Sequence, residues 1–108
     1  AVPMITQQAA AYINTDFRDK ISLALLAEKL SVSVNYLGAL FKKHLGASFN
    51  DYLNNVRLKY ACNLLISSDL SVKEVAYASG YASTEYFTYI FKKKTGVTPR
   101  DYRTLLQK

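Results

Sequence analysis

Ser83-Thr-Glu-Tyr-Phe-Thr-Tyr-Ile-Phe-Lys-Lys-Lys-Thr-Gly96 decides how the rest of the chain is read. Phe87, Ile90 and Phe91 recur three and then one apart, which builds one buried helix face. The opposite side of a 3.6-residue wheel carries Glu85, Thr88, Tyr89 and Lys92, with Thr84 at the flank. Ser83 suits the start of the helix, and Gly96 suits its end after three lysines. Fifty residues earlier stands Ser33-Val-Asn-Tyr-Leu-Gly-Ala-Leu-Phe-Lys-Lys-His-Leu-Gly46. Ser33, Tyr36, Phe41, Lys42, Lys43 and Gly46 match Ser83, Tyr86, Phe91, Lys92, Lys93 and Gly96, and Asp51-Tyr52 matches Asp101-Tyr102. A basic, outward-facing helix made twice points to one long, repeating, acidic partner.

The elements around these two helices follow the same logic. Residues 4–15 read as a helix with Ile5, Ala9, Tyr12 and Ile13 on one stripe. Leu23 to Leu30 reads as another, N-capped by Ser22, with Leu23, Leu26, Ala27 and Leu30 inward. Ser31-Val-Ser33 leaves room only for a tight turn before Val34 to Leu45, so the pair has the helix-turn-helix form. Residues 48–68 are the longest helical stretch, opened by Ser48 and Asp51 as a capping box. Its inner stripe is read as Phe49, Tyr52, Leu53, Val56, Tyr60, Leu64 and Leu65. Its length of about 30 Å approaches the roughly 34 Å of one turn of B-DNA. Ser71 and Glu74 open the next helix, with Val75 and Ala76 inward, and Gly80 stops it. Thr98 and Asp101 open the last one, with Pro99 at its first position and Tyr102, Leu105 and Leu106 inward. Before the two basic helices the repeat offset is 49, with Ser31 against Gly80, and from them on it is 50. The second turn is therefore one residue longer. The expected fold is all-α: about seven helices in two helix-turn-helix subdomains, near 4–47 and 69–108, joined by a linker helix near 48–68.

Composition narrows the function classes. The chain has 108 residues, a net charge of +6 and a pI near 9.5. That favours polyanions, nucleic acid first and an anionic membrane second. The single Cys62 rules out an internal disulfide and a multi-cysteine zinc site. Lone His44 has no partner for metal or acid–base work, and no catalytic set or phosphate loop is visible. No enzyme, metal or cofactor is expected. No apolar run reaches the ~20 residues of a membrane span, and no signal peptide is visible. The start Ala-Val-Pro-Met lacks an initiator methionine and reads as a fragment of a longer protein.

Lys42, Lys43, Lys92, Lys93 and Lys94 are the first candidates for phosphate contact. Their other reading is simple complementarity to the helix dipole. Arg57, Lys73 and Arg100 are secondary candidates, and Arg57 reads equally as a brace between the two subdomains. The base-facing candidates are Val34, Asn35, Gly38 and Ala39 in the first repeat and Thr84, Glu85, Thr88 and Tyr89 in the second. Asn35 suits adenine, Glu85 suits cytosine, and Val34 or Thr88 suits a thymine methyl. Gly38 costs a helix ~1 kcal/mol relative to alanine. It reads either as a place of close backbone approach or as a site with no demand on its side chain. Of nine tyrosines, Tyr12, Tyr52, Tyr60 and Tyr102 fall on inner stripes, which favours packing over base stacking.

These residues resemble the DNA-binding domain of the AraC/XylS family. The resemblance rests on Leu26-Ala27, Ser33 with Tyr36-Leu37, Phe41-Lys42-Lys43, Gly46, Tyr52-Leu53, Arg57-Leu58, Ala61 and Leu64-Leu65. It continues through Val75-Ala76, Gly80-Tyr81, Tyr86-Phe87, Phe91-Lys92, Gly96, Pro99 and Tyr102-Arg103, and covers roughly residues 5–106. It implies a bacterial transcription regulator that places two recognition helices in successive major grooves of double-stranded DNA. It implies a further domain that senses a sugar, a small molecule or a phosphorylation signal. The Asn35-Tyr36-Leu37 wording is similar to members fused to response-regulator receivers. RNA polymerase is expected as a partner if the protein is an activator, with a monomeric isolated domain and dimerisation through the other domain; Cys62, read as a reduced buried thiol, is consistent with the cytoplasm, and no membrane partner is expected. Gly38-Ala39 departs from the long polar readers that family members often place there. The alternative is a helical interaction module whose basic face binds an acidic protein.

Overall fold

The computed structural model describes residues 2–107. Among them lie seven helices and no strand: α1 (Met4–Asp16), α2 (Leu23–Lys29), α3 (Val34–Leu45), α4 (Phe49–Ser67), α5 (Val72–Ala78), α6 (Thr84–Thr95) and α7 (Pro99–Leu106). The chain divides into two compact units between Val56 and Arg57, inside α4. Helix α4 is thus shared between the units. The expected second subdomain runs to Lys108, which lies outside the described residues.

In the first unit, Ser22 sits in extended backbone and its hydroxyl accepts from the Leu25 N–H at 3.0 Å, which starts α2. The stop is a Schellman motif. Ser31 takes φ 58° and donates its N–H to Glu28 O at 3.2 Å, while Val32 donates to Ala27 O at 3.0 Å. The chain then bends by 103° into α3, within the roughly 90–120° of helix-turn-helix pairs. Helices α1 and α2 both pack on α3. The core is Ala9, Ile13, Leu26, Ala27, Leu37, Phe41, Phe49 and Leu53. Phe41 meets Phe49 edge-on at 5.6 Å and Tyr52 at 5.8 Å.

The second unit repeats the scheme with different chemistry. Ser71 and Glu74 form a complete capping box: each accepts the other's backbone N–H, at 3.1 and 2.9 Å. Gly80 at φ 101° donates to Tyr77 O at 3.1 Å, and Tyr81 donates to Ala76 O at 3.0 Å. Helix α6 starts only at Thr84, so the turn 79–83 is one residue longer than 30–33, as the repeat offset requires. The core is Leu58, Ala61, Leu65, Val75, Ala76, Tyr81, Phe87, Ile90 and Phe91.

Two expectations need correction. In α4, Leu58 and Ala61 are buried, whereas Tyr60 and Leu64 are only half-buried. One stripe cannot describe a helix that serves two cores. In α7, Pro99 is buried and Tyr102 half-buried, but Leu105 is 71% and Leu106 49% exposed. Arg103 of α7 and Gln107, which caps it, turn back to the end of α4. Arg103 donates to Leu65 O at 2.9 Å and Ser68 O at 3.3 Å, and Gln107 to Ile66 O at 3.2 Å and Ser68 O at 3.0 Å. These donors satisfy the last carbonyls of α4, which have no partner within their own helix.

No single helix is long and apolar enough to cross a membrane; α2 and α3 reach that composition only together, across their 103° bend. Among the described residues no group of His, Cys, Asp or Glu is arranged to hold a metal ion.

Candidate nucleic-acid interface

Helices α3 and α6 are built alike, residue by residue. Ser33 and Ser83 each cap their helix in extended backbone, their hydroxyls accepting from Tyr36 N–H and Tyr86 N–H at 3.1 Å. Gly46 at φ 69° and Gly96 at φ 87° end them in the left-handed region. The inner faces agree to the percent: Leu37 and Phe87 are 0% exposed, Leu40 and Ile90 7%, Phe41 and Phe91 0%. The same three positions anchor both helices, so the same remaining positions are turned outward.

On α3 the structure leaves Val34, Asn35, Ala39, Lys42 and Lys43 exposed and Gly38 half-buried. A Cβ built on Gly38 would stand 3.4 Å from Cδ2 of Leu23, at the start of α2. On α6, Glu85, Tyr89, Lys92, Lys93 and Lys94 are exposed, and Thr84 and Thr88 half-buried. Lys93 Nζ lies 5.9 Å from the Tyr89 ring centre, a cation–π distance. Basic ends and polar flanks therefore occur together on each helix, with the charge in the last turn.

Lys73 and Arg100 are exposed near the starts of α5 and α7. Arg57 is placed differently. It is half-buried, with its guanidinium 5.6 Å from the Tyr81 ring centre. Burial lowers its pKa, offset in part by Tyr81 and Tyr86, and burial pushes the Tyr81 hydroxyl well up. This contact lies within the second unit.

Tyr36 and Tyr86 are a matched pair outside the base-facing and phosphate candidates. They occupy matched positions in the first turn of each helix and are both 50% exposed. Their identity in the two repeats was the available signal. Tyr12, Tyr52 and Tyr102 do pack against the cores, half-buried, and Tyr81, 4% exposed, is the one buried tyrosine among the described residues.

A family model described as a helix-turn-helix domain matches residues 26–104. The Escherichia coli HTH-type transcriptional regulator YijO is 40% identical over 92 residues, which are 85% of this chain and 32% of YijO. The C-terminal domain of AraT, a response regulator from Geobacillus stearothermophilus, superposes with a TM-score of 0.96 at 36% identity, covering 99% of this chain and 89% of that one. The chain belongs to the AraC/XylS family. A further AraC-type relative, the DNA-binding domain of AdpA, was solved in complex with a target DNA. It is 25% identical with a TM-score of 0.88, covering 93% of this chain and 90% of that one. The chain spans no more than about a third of the length of curated regulators such as YijO.

Proposed function

We propose that this AraC-type domain binds duplex DNA sequence-specifically, α3 and α6 each entering a major groove, in successive grooves of one site. The observation that carries the reading is the duplicated helix: one cap, one buried triad and one lysine-rich last turn, made twice. Lys42, Lys43, Lys92, Lys93 and Lys94 neutralise phosphates and release counterions, with Arg57, Lys73 and Arg100 as secondary phosphate contacts. Val34, Asn35, Gly38 and Ala39 face bases from α3. Thr84, Glu85, Thr88 and Tyr89 face them from α6, and Glu85 is suited to accept from cytosine. The domain works in the cytoplasm as part of a regulator that also carries a sensing domain. AraT's description as a response regulator favours a phosphorylation signal there. In an activator the DNA-bound domain also meets RNA polymerase.

The test is enrichment from a random duplex pool, followed by titration of the enriched duplex over a salt series. A consensus should emerge, with log affinity falling linearly in log salt by about 0.9 per phosphate contacted. Lys42→Glu and Lys92→Glu should weaken every sequence alike. Glu85→Ala should relax one base position, at a cost of ~1–3 kcal/mol in discrimination. Absence of any consensus, or affinity indifferent to salt, overturns the proposal.

A further inference from the structure

The outward side of α3 is not a plain convex surface. A cleft of about 630 Å³ runs along it within the first unit. Ile21 just before α2, Leu23 at its start, Val34 and Ala39 from α3, and Phe49 from α4 give it a mainly apolar lining, interrupted by Ser22, Asn35, Lys42, Ser48 and Asn50. Gly38 forms part of the same wall.

The fold does not require glycine there. Gly38 lies in the middle of α3 and is not among the glycines with positive φ. The nearest atom to an added Cβ is the movable end of Leu23, at an ordinary contact distance of 3.4 Å. Helix propensity favours alanine at such a place. The matched positions on α6 carry Thr88 and Tyr89. The first unit is therefore bare where the second carries side chains, and the bare stretch opens onto an apolar hollow.

Among base edges in the major groove, the apolar feature is the 5-methyl of thymine. A hollow lined mainly by aliphatic and aromatic carbon, with the amides of Asn35 and Asn50, two serine hydroxyls and the Lys42 cation among it, fits that edge on a polyanionic backbone. We infer that the α3 cleft receives a thymine methyl edge, and that Gly38 sets how closely α3 approaches it. The inference rests on the DNA-binding reading above and deepens it. The first unit then reads by shape and methyl contact, and the second by side-chain hydrogen bonds.

The experiment uses the duplex enriched by the full chain. Each thymine is replaced singly by deoxyuridine, and each replacement is titrated against the parent and against Gly38→Ala. At least one replacement should weaken the parent about fourfold, the worth of one buried methyl group. The same replacement should leave Gly38→Ala unaffected, because the added Cβ already holds the methyl off; such coupling marks direct contact. Gly38→Ala should bind the thymine duplex at least about fourfold more weakly, yet unfold at a higher temperature than the parent. The inference is overturned by a site indifferent to deoxyuridine, by equal losses in both proteins, by undiminished binding of Gly38→Ala, or by its destabilisation. Failure to enrich any duplex instead overturns the DNA-binding reading, and this inference with it.

Discussion

The two units solve one folding problem with different residues. Both bury a Leu/Phe, Leu/Ile, Phe triad at equal depth, and both close the first helix of their helix-turn-helix with the same pair of backbone hydrogen bonds. The second unit uses Gly80 at the left-handed turn and a carboxylate capping box before it. The first places Ser31 in the left-handed region, and its α2 has Leu25 where α5 has Glu74. Packing is the shared part of the design, and local backbone chemistry is the part free to differ. The outward faces differ too: α3 is small and hollowed, α6 bears Glu85, Thr88 and Tyr89. A buried triad tolerates little change in volume, whereas a surface face answers only to what it binds.

The shared part makes the largest prediction. Phe41→Ala and Phe91→Ala should each cost ~3–5 kcal/mol in urea unfolding. Each phenylalanine has two aromatic neighbours, Phe49 and Tyr52 for the first, Phe87 and Tyr102 for the second. A loss confined to one of them would break the equivalence of the cores.

The turns come next. Gly80→Ala forces a side chain into the left-handed region and should lower stability by roughly 1–2 kcal/mol. Ser31→Gly should act in the opposite sense and raise the unfolding midpoint, since it relieves the same strain in the first unit. Destabilisation by Ser31→Gly would show that the serine side chain, rather than the backbone, sets that turn.

The smallest effect is a pH dependence peculiar to the second unit. The Ser71 N–H, and then its hydroxyl, hold the Glu74 carboxylate below its ordinary pKa of 4.5. A depressed folded pKa adds stability above about pH 4.5, lost as pH falls through the folded value. The parent should therefore lose part of its thermal stability below that pH, and Glu74→Gln should lack that component. An identical acid limb in both proteins would remove the capping box from the account.

Seven helices and nearly all their ends were legible in the sequence, as was the longer second turn. The buried stripes of α3 and α6 were legible as well. Three features were not. Leu105 and Leu106 share the spacing of Ile90 and Phe91, yet they are exposed. Periodicity tells which residues share a face of a helix, but not whether a neighbour arrives to cover it. The place of Arg57 over the Tyr81 ring joins residues far apart in sequence, and no local pattern announces it. The approach of Leu23 to within 3.4 Å of the Cβ position on Gly38 likewise joins two helices and leaves no mark in the local pattern.

Caps, stops and turn lengths are settled by hydrogen bonds that close within five residues, so Ser33, Ser83, Gly46, Gly96 and the 49-to-50 change of offset announce themselves in the chain. The hold of Arg103 on α4 and the hollow beside α3 join residues far apart in sequence. Such meetings depend on how whole helices pack, and only the folded chain decides them.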